Sequence, residues 1–548
     1  MRRPLSALAF ALTLATTTAA AQFGPPATGF IVENPVLRRL WALGMDSTQL
    51  PRLAQTLFDS LGPRLTASPG MEAAQNWLVQ TYTSWGVSAR KEQYGTWRGW
   101  RRGPTHLDLL TPRVRSLEAV MLAWSPGTAK AKPVRGAVTI LPDVQDSAGF
   151  VTWLAGAKGK FVLVSFPQPT CRPDTSWAHW GRKEAVDSMK ARRTAAQQAW
   201  TQRIARLGFG TGSSIANPAL WQRLEQGGVA GIITSFWSTG WGADRIFAAT
   251  TEKTPVLDVG CEDYGLLFRL AQNGQGPTVE LTAQSQALGE VPVFNVLAEI
   301  KGSALPNEYV MLSAHFDSWD GGSGATDNGT GTLTMLEAMR ILKQAYPNPR
   351  RTILVGHWSG EEQGLVGSKA FVHDHPSIVD SLQALFNQDN GTGRIESMSA
   401  SGYPAAASNL SRYLSQIPAD LTRDIKFSFP GMPGGGGTDH ASFVMCGAPG
   451  FGLGSGDWDY FSYTWHTQRD TYDKISFEDL KLNATLVAML VYLAAEDPQW
   501  MPRDRRTVFP NRPDGTPGAW PPCTDSPRAT PPLVPPAQPA AGGGNTPR

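Results

Sequence analysis

Long apolar runs are missing from this chain. Beyond its first residues, no stretch reaches the roughly 20 apolar residues that a membrane-spanning helix needs. Cysteine is scarce: Cys171, Cys261, Cys446 and Cys523 are the whole set, and none has CxxC spacing. That excludes a thiolate zinc ribbon and a dithiol redox motif. A strong excess of one charge is also lacking. The formal net charge is +3, so no broad field points to nucleic acid or to an anionic membrane. The 41% hydrophobic and 17% charged shares exclude a wholly disordered chain.

The first residues carry the strongest compartment signal. Arg2 and Arg3 precede an apolar run from Leu5 to Leu14, and Ala19 and Ala21 form a small-x-small site before Gln22. This pattern predicts a cleaved secretory signal over residues 1–21 and a secreted or periplasmic protein with no membrane span. Export permits disulfides. Three pairings of the four cysteines are open, and the shared location of Cys171 and Cys261 favours that pair. Sequons occur at Asn328, Asn390, Asn409 and Asn483.

At 548 residues the chain is too long for one compact domain. Residues 30–125 open with helical periodicity: Trp77, Leu78, Tyr82 and Trp85 predict an amphipathic helix over Met71 to Trp85. Two β-like runs follow, Arg90 to Gly95 and Thr105 to Leu110. Residues 130–287 read as a separate, smaller β-rich unit, with strands near Ala137 to Leu141, Phe161 to Phe166, Val229 to Phe236 and Val279 to Ala283. One helix, Lys183 to Leu207, interrupts them, and its basic face reads as solvated surface. Residues 290–496 alternate strands and helices, which predicts an α/β domain with a mixed, largely parallel central sheet flanked by helices. From Pro502 to the end, Pro and Gly dominate, predicting a loosely draped tail over 502–548.

In an open α/β sheet, ligands bind beyond the carboxyl ends of strands. Three predicted strand ends there carry metal-type residues. One leads into His315-Phe316-Asp317 and then Asp327, the next into Glu361-Glu362, and the third into Asp389; a later loop adds Trp465-His466. Imidazole and carboxylate suit zinc. Five ligands, His315, Asp327, Glu362, Asp389 and His466, exceed the needs of one catalytic zinc and suit two, with Asp327 as the shared one. Two metals about 3.5–4 Å apart can share a hydroxide and clamp a tetrahedral intermediate. Of the Glu361-Glu362 pair, one can ligate while its neighbour serves as general base. Asp317 is placed to hydrogen-bond the free imidazole N–H of His315. His357, inside a strand, reads as a core residue, and the run Gly434 to Gly437 with Asp439 and His440 reads as a substrate-facing loop.

As a set, "SAHFDSWDGGSGATDNGTGTLTMLEAMRIL", "GHWSGEEQGLVGSKAFV", "FNQDNGTGRI", "GGGGTDHASF" and "WHTQRDTYDKI" resemble metallopeptidase family 28, nearest to its plasma glutamate carboxypeptidase-like (carboxypeptidase Q) branch. "GPRLTASPGMEAAQNWL" matches the opening of that family, and "KGKFVLVSFP" and "GGVAGIITS" resemble its inserted protease-associated domain. The resemblance implies the zinc-exopeptidase fold and two zinc ions. His315 and Asp389 would hold one, Glu362 and His466 the other, with Asp327 bridging, Glu361 as base and Asp317 supporting His315. Some members carry Tyr before the last ligand histidine; here that place is Trp465, a substrate-binding candidate with Asp439 and His440. The implied activity is that of an exopeptidase on peptides or dipeptides, an aminopeptidase or dipeptidase before a carboxypeptidase. A one-zinc glutaminyl cyclase and a non-catalytic binding protein are the rival readings. Oligomeric state is left open, with a homodimer as one option.

Overall fold

The computed structural model describes residues 33–210, 217–434, 437–512 and 515–531. The predicted signal segment and residues 532–548 lie outside the described residues. The architecture is the expected mixed α/β arrangement. One sheet runs, edge to edge, through Lys426–Ser428, Ile395–Ser399, Gly450–Ser455, Leu382–Gln388, Leu305–His315, Arg351–Trp358 and Thr278–Ile300. It continues through Val134–Ile140, Phe161–Leu163, Gly231–Thr234 and Val256–Val259 to Ala119–Met121. The four strands from Gly450–Ser455 to Arg351–Trp358 are mutually parallel, and Thr278–Ile300 joins them antiparallel.

Burial explains the order. Arg351–Trp358 and Leu382–Gln388 are buried at every position, as central parallel strands covered on both faces must be. On one face the helices Pro35–Met45, Thr330–Ala345 and Phe477–Glu496 supply a Leu- and Ala-rich core. On the other, Trp358, Phe371 and Phe443 form a smaller aromatic cluster. The helix predicted from Met71 spans Pro69–Ser84, and its start is set by Ser68, whose Oγ accepts from Met71 N at 3.1 Å.

Register aligns the chemistry. His315 stands opposite Trp358, and Ser313 opposite Asn387, so Asp389 emerges level with His315 on the neighbouring strand. Three connections therefore leave the sheet at one place.

Several expectations change. The two β-like runs in 90–110 are one strand, Ser88–Thr111, paired antiparallel along its length with Thr278–Ile300. The boundary expected at 287–290 thus falls inside a continuous strand. Polar residues there hid it: residues 284–290 are half-buried or exposed and carry no apolar alternation. The Gly450–Ser455 strand was illegible because three of its six residues are Gly. Gly452 packs closely on His440, since a Cβ there would stand 3.1 Å from His440 Cε1. Up to residue 531 the tail is held more firmly than expected. Cys446 and Cys523 form a disulfide beside the predicted Cys171–Cys261 bond. Arg528 O accepts from Thr96 N at 2.9 Å, which covers the edge of the Ser88–Thr111 strand. The Asn328, Asn409 and Asn483 sequons are buried, with amides donating to Gln388 O, Asp497 Oδ2 and Gly393 O.

Candidate metal centre

His315 is the last residue of its strand and is 1% exposed. Its Nδ1 lies 3.1 Å from the Asp317 carbonyl oxygen. A carbonyl can only accept, so Nδ1 carries a proton and Nε2 is the ring nitrogen turned to the cleft. That Nε2 stands 3.0 Å from Asp389 Oδ1 and 3.5 Å from Asp327 Oδ1. Across the cleft, His466 Nε2 stands 3.1 Å from Glu362 Oε2 and 3.3 Å from Asp327 Oδ2. Two triads of ligand atoms share Asp327, His315-Asp327-Asp389 and Asp327-Glu362-His466, and a third group, His315-Glu361-Glu362, lies beside them.

The supports are as specific as the ligands. The sequence placed the Asp317 carboxylate on the His315 imidazole, but its hydrogen bonds go elsewhere. It lies 3.6 Å from His315 Nδ1, and it accepts from Thr66 Oγ1 and, at 3.3 Å, from the backbone N–H groups of Glu361 and Glu362. The backbone carbonyl of Asp317 orients His315, while its side chain pins the Glu361-Glu362 turn. Asp470, passed over in the sequence, accepts from Thr326 N at 2.7 Å and Asp327 N at 2.9 Å, fixing the shared ligand. Trp319 Nε1 donates to Glu362 Oε2 at 2.8 Å. Against the opposing effect of burial, His315 and His466 hold the Asp327 carboxyl below its usual range, and the Tyr460 hydroxyl adds a smaller contribution. Only tertiary proximity singles these residues out; Asp470 and Trp319 carried no spacing signal.

The donor set fits divalent cations. Asp327 Oδ2 and Glu362 Oε1 are buried without a hydrogen-bond partner among the described residues. Burial raises the carboxyls of Glu361 and Glu362 well above the usual range, and neighbouring carboxylates (Asp389 for Glu361, Asp327 for Glu362) add to this. Burial pushes the His466 imidazole down to about 4, so it presents a lone pair rather than a charge. Oxygen atoms this crowded and this dry need a cation or protons.

The cleft has a volume of about 440 Å³, within the range of small-ligand sites. Besides the ligand residues it is lined by Glu361, Asn390, Thr438, Tyr460, Phe461 and Trp465. Trp465 therefore lines the cleft. Asp439 and His440 do not. Asp439 is 0% exposed, and His440 packs against Gly450 and Gly452, because the helix His440–Met445 begins there and turns both inward. Gly437 and Thr438 line the cleft in their place. His357 is a core residue: its Nε2 meets Tyr82 OH at 2.7 Å, and burial lowers it to about 3.

Residues 295–491 match peptidase family M28. Carboxypeptidase Q of Mus musculus is 25% identical over 448 residues, covering 82% of this chain and 86% of its own. A crystal structure of a peptidase M28 precursor from Shewanella amazonensis SB2B shares the fold, with a TM-score of 0.63, 22% identity and coverage of 87% of this chain and 98% of that one. So does BSAP, a zinc aminopeptidase from Bacillus subtilis, with a TM-score of 0.51, 18% identity and coverage of 84% and 98%. Residues 295–491, which carry all five candidate ligands, thus match peptidase family M28, and the likeness marks the chain as a metallopeptidase.

Proposed function

We propose that this protein is an exported exopeptidase, an aminopeptidase or dipeptidase, that works with two zinc ions. The observation that carries the reading is Asp327, shared by both ligand triads. His315 and Asp389 would hold one ion and Glu362 and His466 the other, with Asp327 between them. Zinc bound there supplies a Lewis acid for the scissile carbonyl and lowers the pKa of water. The chain's own residues do the rest. Glu361 lines the cleft beside the ligands and takes the proton of the attacking water, then passes it to the leaving amine. Asp317 holds the Glu361 backbone so that this carboxylate keeps its place. The cleft's acidic lining favours a substrate's free α-amino group. Phe461, 59% exposed, and Trp465 offer an apolar wall to the side chain next to it. Residues 130–287 would form the inserted protease-associated domain. The two disulfides and the signal-like first residues support export.

The deciding measurement is zinc per purified chain together with hydrolysis of aminoacyl-p-nitroanilides and dipeptides. About two zinc ions and chelator-sensitive cleavage are expected. One zinc ion would favour the cyclase reading, and no zinc with no cleavage would leave a binding protein.

A further inference from the structure

Residues 62–66, "GPRLT", contribute no metal ligand and no cleft wall, yet their polar groups are turned on the loop between two proposed ligands. Arg64 is 0% exposed. Its Nε donates to Phe316 O at 2.7 Å, Nη1 to Ser323 O at 2.8 Å and Nη2 to Gly324 O at 2.8 Å. A weaker bond from Nη1 reaches Gly62 O at 3.3 Å. The head lies 5.6 Å from the centre of the Phe58 ring and 5.5 Å from that of Phe316. The main chain joins in, since Arg64 N donates to Ser318 Oγ and Ser318 N to Arg64 O. Thr66 Oγ1 reaches Asp317 Oδ2 at 3.1 Å.

The acceptors are the two ends of one loop. Phe316 follows His315 directly, and Gly324 lies three residues before Asp327. We propose that Arg64 is a positioning residue whose guanidinium clips together the ends of the 316–324 loop and so sets the spacing of His315 and Asp327 before any metal arrives. The inference rests on reading those two residues as ligands. A guanidinium suits the task because its donors are fixed in one plane, so three carbonyls bound to it are fixed relative to each other. Lysine would keep the positive charge beside Asp317, Asp327 and Asp470 but not the fork. The substitution therefore separates a clip from a counter-charge.

The test compares wild type, Arg64→Lys and Arg64→Gln. It measures metal-free melting, zinc affinity by competition with a chromophoric chelator, and kcat and KM. Both variants are expected to lose roughly 10- to 100-fold in zinc affinity, the range for residues that orient ligands, while the zinc-saturated Lys variant keeps its KM. Wild-type zinc affinity in Arg64→Lys would overturn the clip, whether or not Arg64→Gln is impaired. Hydrogen exchange on metal-free wild type needs no variant to fold. Slow exchange of the 317–324 amides is expected; fast exchange that slows only on adding zinc would mean that the metal orders the loop, and would overturn the proposal. Failure of wild type itself to bind zinc would instead overturn the ligand reading, and with it the role of Arg64.

Discussion

Glu361 and Glu362 are chain neighbours that the proposed mechanism puts to different uses, and a pair of substitutions separates them from the bridge. Glu361→Gln removes only a proton acceptor, so zinc content should stay near that of wild type while kcat falls by about 10²–10⁴-fold. Asp327→Ala removes a ligand common to both triads and should lose the metal itself. Metal analysis beside steady-state kinetics checks both, and a Glu361→Gln enzyme retaining most of its turnover would sink the assigned base. His357 makes a prediction remote from metal chemistry. Its imidazole titrates near 6.5 when unfolded, but burial holds it at about 3 in the fold. Between those values the unfolded state binds the extra proton. The stability from this group is therefore complete above about pH 6.5 and is lost as pH falls towards 3, at up to about 1.4 kcal/mol per pH unit. In metal-free protein, the cost of His357→Gln should be smaller at pH 4.5 than at pH 7 by about 2–3 kcal/mol. Denaturant titrations at the two pH values would show it, and an equal cost at both would refute it.

Among its described residues, the tail from Met501 to residue 531 has neither helix nor strand, yet it is attached at several points. Cys523 is bonded to Cys446, 77 residues earlier in the chain. Trp520 packs at 5.3 Å on Tyr403, and Arg528 pairs with Asp374 at 2.8 Å. Losing this bridge should cost about 2–5 kcal/mol. Cys523→Ser should lower the unfolding free energy by that amount and make the segment beyond Met501 sensitive to protease in the native state. Undiminished stability would mean that the non-covalent contacts alone hold the segment. Proline and glycine content accounts for the want of helix and strand among the described tail residues. It could not reveal the anchoring, because one disulfide and one strand edge supply it. The same limit applies to Gly450–Ser455. Intrinsic propensity argues against a strand there, and the demand that His440 fit against it overrules propensity.

Across the whole molecule, residues 238–247 reach from the 130–287 unit to the loop that carries His466. Ile246 N donates to His466 O at 2.8 Å, Ser238 Oγ to Ser462 O at 2.6 Å and Arg245 Nη2 to Phe461 O at 2.7 Å. The guanidinium of Arg245 lies 4.8 Å from the ring centre of Trp465, on the apolar side of the cleft. Arg245→Ala removes that contact and one hydrogen bond, together worth about 1–3 kcal/mol. KM should rise by roughly tenfold or more with a smaller change in kcat, because the wall would loosen while the ligands stay. A fall in kcat at unchanged KM would show that this contact acts on the chemistry instead.

Sequence alone determined the alternation that makes an α/β sheet, most strand positions and the five metal-type residues at strand ends, because hydrophobic period and ligand chemistry are local properties. Arg351–Trp358 and Leu382–Gln388 were legible to within a residue or two. Tertiary structure decided what depends on distance between remote segments. It put Asp389 level with His315, set Asp470 on the backbone of Asp327, and turned Asp439 and His440 away from the cleft. It also fused two apparent strands on either side of residue 288 into one ribbon that runs through both parts of the chain. Long-range pairing and burial decide these features, and no window of residues read by itself contains them.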